Sequence, residues 1–147
     1  MIEITEFSSL IPKYKAIWLD SYGVVKNHRG LIPGVEHIIR KIRADQGIFR
    51  LLTNDASRSA AVQSGRFADN GLKIHEHEIV TSGMLAQEFL SNKVPTGKVA
   101  HLGTKKSAQY IVNAGLEPIA VANIDTDNLS DITALVFLDD EGFNWNT

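Results

Sequence analysis

Short apolar runs alternate along this chain with stretches of helical period, the pattern of a mainly parallel sheet with helices on its faces. The first run, Ala16, Ile17, Trp18 and Leu19, predicts a strand that ends in Asp20. Past a glycine-containing loop, Pro33 and Gly34 precede Val35, Ile38, Ile39 and Ile42, an apolar stripe at i, i+3, i+4 and i+7. That spacing predicts a helix, with Gly47 as its C-terminal stop. A second strand runs from Ile48 to Leu52 and stops at Thr53. The loop N-D-A-S-R-S then offers N-caps to a helix ending near Asn70, with Gly71 just past its end. Ile79 and Val80 predict a third short strand, after which Thr81 or Ser82 caps a helix bearing Met84, Leu85, Phe89 and Leu90.

Around Asn92 to Gly97 the run S-N-K-V-P-T-G is rich in loop formers, which divides the chain into an expected first domain, 1–96, and a second, 97–147. The second opens with a strand from Val99 to Leu102 and a turn at Gly103. A helix from Ser107 to Ala114 follows, stopped by Gly115, then a short strand from Ile119 to Val121. After the polar stretch N-I-D-T-D-N-L-S-D comes the strand Thr133 to Leu138, with Asp139 and Asp140 at its end. No internal repeat or low-complexity tract interrupts the pattern.

Composition narrows the function more than the fold. With 147 residues, 44% hydrophobic and 22% charged, the chain holds enough apolar side chains for a globular core and is not of disordered type. A formal net charge of -2 with scattered Lys and Arg lacks the basic footprint of a nucleic-acid or anionic-membrane binder, so neither partner is expected. The absence of cysteine excludes disulfides, thiolate nucleophiles and Cys-ligated metals, in agreement with a reducing compartment. The opening segment M-I-E-I-T-E-F-S-S-L places acids where a signal peptide needs bases, and no run nears the ~18 apolar residues that span a bilayer. A cytoplasmic location is expected.

The chemistry concentrates in I-W-L-D-S-Y-G-V-V, an apolar strand running straight into an aspartate and a glycine-containing turn. The carboxyl ends of strands line the ligand crevice of an open parallel sheet, so Asp20 would project there while nearby backbone N–H groups cradle an anion. L-L-T-N-D, at the end of the second strand, would bring the Thr53 hydroxyl and the Asn54 amide to the same rim. Asp after a strand is also an ordinary turn residue, and Thr-Asn-Asp is ordinary helix-capping chemistry. Spacing alone leaves both readings open.

The order and wording of the segments resemble the haloacid dehalogenase superfamily, in its p-nitrophenylphosphatase-like, NagD-like branch. The residues that carry the resemblance are L-D-S-Y-G-V-V at 19 to 25, L-I-P-G-V at 31 to 35 and L-L-T-N-D-A-S-R-S at 51 to 59. T-S-G-M at 81 to 84, H-L-G-T at 101 to 104 and A-L-V-F-L-D-D-E-G-F-N-W at 134 to 145 extend it over essentially the whole chain. The resemblance implies an α/β Rossmann-like parallel sheet with flanking helices, an incomplete hydrolase core, followed by the start of an α/β cap from about Gly97. It implies that Asp20 is the nucleophile that forms a covalent aspartyl intermediate. Thr53 is then the hydroxyl that hydrogen-bonds the transferred group, with Asn54 beside it and Gly23 in the substrate-binding turn. A magnesium ion bound by Asp20 and the backbone carbonyl of Tyr22 offsets the repulsion between carboxylate and phosphate, and the substrate is a small phosphorylated metabolite.

Two departures qualify what is implied. Phosphatases of the family normally carry a second aspartate two residues after the nucleophile, as general acid; here that position is Tyr22. A phenol of ordinary pKa near 10 protonates an alkoxide poorly, and acid-base help of this kind is worth about 100- to 10,000-fold. Aspartate and tyrosine at this spacing also resemble the dehalogenases themselves, whose halide leaving group needs no proton. The family's later lysine and later pair of metal-binding acids have no counterpart, so the 147-residue chain is expected to be inactive by itself. A compact, capless enzyme with Asp139 and Asp140 as metal acids and Lys105 or Lys106 as the lysine is the alternative reading. A catalytically silent module is another. The family's first strand is central, so loss of the later strands bares its edge and an apolar face, which a homodimer would cover.

Other candidates reduce to structure. H-E-H-E at 75 to 78 reads as a solvated loop, because His75 and His77 share a face only on a strand. G-T-K-K-S at 103 to 107 lacks the glycine pattern of a phosphate loop and reads as a turn, and Trp18 and Trp145 as packing or surface residues.

Overall fold

The computed structural model describes residues 6–141; the expectations for the first five residues, for F-N-W at 143 to 145 and for Trp145 lie outside the described residues. The chain forms two compact units. One holds the residues up to Thr53 with Ala60–Val80, the other Asn54–Ser59 with the residues from Thr81 onward.

In the first unit a short helix α1 (Phe7–Leu10) and a single 3-10 turn (Ile11–Lys13) lead into β1 (Ala16–Asp20). A two-stranded hairpin of β2 (Lys26–Asn27) and β3 (Gly30–Leu31) follows, then α2 (Val35–Ala44), β4 (Ile48–Thr53), α3 (Ala60–Asp69) and β5 (Ile79–Thr81). The sheet order is β1-β4-β5, and β1 runs parallel to β4 in the register Ala16↔Ile48 to Asp20↔Leu52. Successive strand residues face opposite sides. Ile17, Phe49, Leu51 and Ile79 are buried in one cluster with Ile39 and Ile42 of α2 and Phe67 of α3. Each such side chain contributes about 1.5–3 kcal/mol by leaving water. Trp18, Ile48 and Leu52, on the opposite parity, are 56%, 51% and 42% exposed.

The helix ends show where local pattern and structure part. Gly71 stops α3 as expected: its φ is +82°, its N–H donates to the Ala68 carbonyl, and that of Leu72 reaches back to Phe67. At the end of α2 the same pair of hydrogen bonds forms, Gln46 to Arg43 and Gly47 to Ile42. There Gln46, with φ +58°, takes the left-handed position that the sequence assigns to Gly47. Gly47 instead lies close against Ile42, whose carbonyl oxygen would stand 3.0 Å from an added Cβ. The hairpin was not predicted; the Asn27 side chain closes it by accepting from the Arg29 N–H at 2.8 Å.

H-E-H-E is not wholly a solvated loop. Glu76–Glu78 form a 3-10 turn in which Glu78 is buried and paired with Arg43 at 2.6 Å, and it accepts the His75 N–H at 2.7 Å. Burial pushes the Glu78 carboxyl up, but the hydrogen bonds and positive charge from Arg43 and His75 outweigh it, leaving the group below its ordinary value.

The second unit comprises α4 (Ser82–Lys93), β6 (Lys98–Leu102), α5 (Gln109–Asn113), β7 (Glu117–Ala120) and β8 (Ile132–Phe137). Its sheet is also parallel, in the order β7-β6-β8. Thr81 caps α4 by accepting the Met84 N–H at 3.2 Å. Leu90 enters the core with Val99, Tyr110, Ile111, Leu116 and Leu138, whereas Met84, Leu85 and Phe89 are exposed. α5 is shorter than predicted, since Ser107 and Ala108 form turns, and β7 begins at Glu117, ahead of the expected Ile119.

Candidate active site

β1 ends at Asp20 because the next residues fold back on themselves. The Ser21 carbonyl accepts N–H groups from both Val25 (2.9 Å) and Lys26 (3.0 Å), and Val25 is fully buried beneath the turn. Gly23 sits at the bend with φ +88°, a conformation a side chain would strain, and open space surrounds the place a Cβ would occupy. Its N–H donates to the Lys26 carbonyl at 2.7 Å. That amide is therefore engaged within the turn rather than free to cradle an anion. Ser21 lies buried, its hydroxyl without a hydrogen-bond partner among the described residues, while Tyr22 is 64% exposed.

Asp20 is exposed at the strand tip, and among the described residues its carboxylate has no hydrogen-bond or ion-pair partner. Its register partner is Leu52, so Thr53 follows one residue later at the tip of the neighbouring strand, about 4.8 Å away in the hydrogen-bonding direction. Thr53 is buried. Alternation along β4 sets Thr53 with Leu51 on the helix-covered side and Asp20 with Trp18 on the other, so the two groups meet at the sheet's end rather than across one face. The structure thus brings Asp20, Tyr22, Gly23 and Thr53 to one end of one unit.

Asn54 belongs to the second unit, where its carbonyl accepts the Ser82 hydroxyl at 2.7 Å. It lines a cavity of about 670 Å³ with Asp55, Arg58, Ser82 and residues of the Phe137–Glu141 segment. Arg58 is held there by Asp55 at 3.2 Å and Glu141 at 3.3 Å. The sequence reading did not single out Arg58; only the fold brings Glu141, 83 residues away, to it.

Asp139 is nearly buried and serves the fold: its carboxylate accepts the Glu141 N–H at 3.0 Å and the Thr104 N–H at 3.4 Å. G-T-K-K-S is a turn in which the Thr104 hydroxyl caps the Ser107 N–H at 3.1 Å, and Ser107 is fully buried. Neighbouring His101 is buried, its Nδ1 unpartnered among the described residues; burial pulls its pKa down, and the charge of Asp139 restores only part of that. Among the described residues no group of three His, Asp or Glu side chains could hold a metal ion. An exposed carboxylate and a main-chain carbonyl on an exposed turn are nevertheless the hard oxygen donors that magnesium takes, usually one or two from protein with the rest from water and substrate.

A parallel α/β unit with a carboxylate at the tip of a strand and a threonine at the tip of its neighbour sets both groups where open α/β sheets bind their ligands. This chain belongs to the haloacid dehalogenase-like hydrolases, whose family model matches residues 17–117. A solved structure from Cytophaga hutchinsonii, described as a possible sugar phosphatase of that superfamily, is 42% identical with a TM-score of 0.89, over 99% of this chain and 52% of that one. A glycerol phosphate phosphatase from Mycobacterium tuberculosis, solved with magnesium, is 22% identical with a TM-score of 0.76, over 93% of this chain and 40% of that one. NagD from E. coli is 20% identical with a TM-score of 0.72, over 90% and 49%. The last two share the fold. No curated protein matches the sequence. The chain corresponds to the N-terminal portion of these structures and spans about half their length or less. No described helix is long and apolar enough to cross a membrane.

Proposed function

We propose that this chain carries the nucleophile half of a magnesium-dependent phosphoester hydrolase that works through an aspartyl-phosphate on Asp20. The observation that supports it best is the register of Asp20 with Leu52, which sets an exposed carboxylate and Thr53 at the tips of paired parallel strands. A carboxylate oxygen of Asp20 attacks phosphorus, the bond to the ester oxygen breaks, and the leaving oxygen takes up a proton. Water then attacks the aspartyl-phosphate, releasing inorganic phosphate and restoring the carboxylate. The Thr53 hydroxyl hydrogen-bonds the phosphoryl group, Asn54 stands next to it in the chain, and Gly23 leaves open space where a side chain would obstruct the substrate. Asp20 and the Tyr22 carbonyl would hold a magnesium ion, which would offset the repulsion between carboxylate and phosphate.

Tyr22 has no tuned carboxylic acid to offer an alkoxide, so phenolic leaving groups are the faster substrates. The structures described as sugar and glycerol phosphate phosphatases favour a small phosphorylated metabolite. Residues 97–147 are assigned to the start of a cap, and the protein to the cytoplasm. The test is hydrolysis of p-nitrophenyl phosphate with magnesium by a version extended to its relatives' length, beside its Asp20→Asn variant. Loss of turnover in the variant is expected, and equal activity in both removes Asp20 from the mechanism. The 147-residue chain is expected to show no turnover.

A second reading, a silent module that binds a partner or self-associates, is favoured by the exposed Trp18, Ile48 and Leu52. Magnesium-dependent turnover by the extended version decides against it.

A further inference from the structure

We propose that Tyr110 and Ser82 are positioning residues for the loop Asn54–Ser59, the segment that carries Asn54 directly after Thr53. The inference deepens the phosphatase reading and rests on it, since Asn54 is a substrate-binding residue only there.

Residues 54–59 form neither helix nor strand, so no ladder of backbone hydrogen bonds fixes them. The main-chain groups of such a segment depend on side chains or water instead. Two of its carbonyls take a hydroxyl from further along the chain. Ser82, the first residue of α4, donates to the Asn54 carbonyl at 2.7 Å. Tyr110, from α5, donates to the Arg58 carbonyl at 3.1 Å. Between these ends Ala56, 1% exposed, is seated in the same core cluster as Tyr110, Leu90 and Val99. All of these residues belong to the second unit, whose own elements thus hold the loop near both ends and in the middle.

Tyr110 is itself held in place. Its ring packs so closely on Gly83 that a side chain there would collide with it, and its oxygen lies 3.1 Å from the Thr81 hydroxyl. Thr81, fully buried, accepts the Met84 N–H at 3.2 Å. Because a carbonyl only accepts, one direction satisfies every group: the Met84 amide donates to Thr81, Thr81 to Tyr110 and Tyr110 to Arg58. The chain ties the loop to the capped end of the 12-residue helix α4. Phenylalanine would fill the same space, and only the hydroxyl reaches the loop. The loop contributes Asn54, Asp55 and Arg58 to the lining of the cavity, so a shift of its main chain moves polar groups that would meet a substrate. Groups that grip the ester before and during reaction alike act on KM, whereas loss of a contact made only in the transition state lowers kcat.

The test measures hydrolysis of p-nitrophenyl phosphate with magnesium in the extended version, comparing the parent with Tyr110→Phe, Ser82→Ala and Ile111→Val. Tyr110→Phe should raise KM about 10-fold with kcat unchanged, since small displacements of positioned groups cost up to about 100-fold. Ser82→Ala should raise it about 3-fold, because water partly replaces an exposed hydroxyl. It also tests the loop should Tyr110→Phe fail to fold. Ile111→Val trims one methyl from the same core cluster, removes no hydroxyl and should keep the parental KM. A parental KM in Tyr110→Phe or Ser82→Ala overturns the role of that residue, even where the urea midpoint falls. An equal rise in Ile111→Val reduces the effect to general loosening and overturns both. An extended parent without turnover, or one as active as its Asp20→Asn variant, removes the phosphatase reading and this inference with it. Turnover lost in Asp20→Asn beside a parental KM in both hydroxyl variants removes this inference alone.

Discussion

Replacing Gly83 by alanine, ordinarily a favourable change in a helix, should here destabilise the protein. A Cβ on Gly83 would stand 2.1 to 2.6 Å from three ring carbons of Tyr110, closer than real atoms approach. Tyr110 cannot easily retreat. It is 6% exposed, and its hydroxyl lies 3.1 Å from both the Arg58 carbonyl and the Thr81 hydroxyl. Since a carbonyl only accepts, the phenol proton goes to Arg58 and Thr81 donates to the phenol oxygen. Burial lifts the phenol above its ordinary pKa, which keeps that proton in place. Overpacking costs about 1–3 kcal/mol, and displacing the ring forfeits hydrogen bonds worth about 1 kcal/mol each. Against this stands about 0.5–1 kcal/mol of helix preference for alanine. The expected net loss is about 2–4 kcal/mol, read from urea unfolding followed by circular dichroism. Gly65, inside α3 with nothing within 4 Å, is the control: Gly65→Ala should gain about 0.5–1 kcal/mol. On a Tyr110→Ala background the Gly83→Ala penalty should vanish. A penalty that persists there, or a Gly83→Ala protein as stable as the parent, refutes the reasoning.

Gln46→Gly should stabilise the protein by about 0.5–1 kcal/mol, because a side chain now occupies a left-handed position; an unchanged urea midpoint counts against that strain. Glu78 has a folded pKa below its ordinary 4.5, so its contribution is complete above that pH and fades as pH falls through the lower folded value. Glu78→Gln should be less stable near neutrality and should flatten the acid limb of a stability-pH curve below about pH 4.5. His101 is depressed from 6.5, so the unfolded chain binds a proton that the folded one refuses and stability falls as pH drops below that value. His101→Gln should remove this component, seen as a shallower slope between neutrality and pH 5. In the extended version Tyr22→Asp should raise hydrolysis of alkyl phosphates by about 100-fold or more while changing p-nitrophenyl phosphate much less; equal effects on both would deny Tyr22's position a proton-donating role.

The strands at 16–20, 48–53 and 79–81, and the helices after them, were legible because their signals are local. Apolar runs ended by polar residues, a 3.6-residue stripe and a threonine cap depend only on near neighbours. Asp20 and Thr53 were likewise readable as strand ends. What required the tertiary structure was everything settled between distant residues or between nearly equal local choices. Either of two adjacent residues could have closed α2, and the approach to Ile42 gave the left-handed position to Gln46. H-E-H-E looked solvated until Arg43, 35 residues away, drew Glu78 inside. Backbone N–H groups after Asp20 looked available to an anion, and the turn engages that of Gly23 with the Lys26 carbonyl. Register gave Asp20 the neighbour Thr53 and set Trp18 on the exposed side of the sheet. Hydrophobic period and capping act within a few residues and so are written in the chain itself; pairing, burial and charge partnership act across space and appear only when the strands meet.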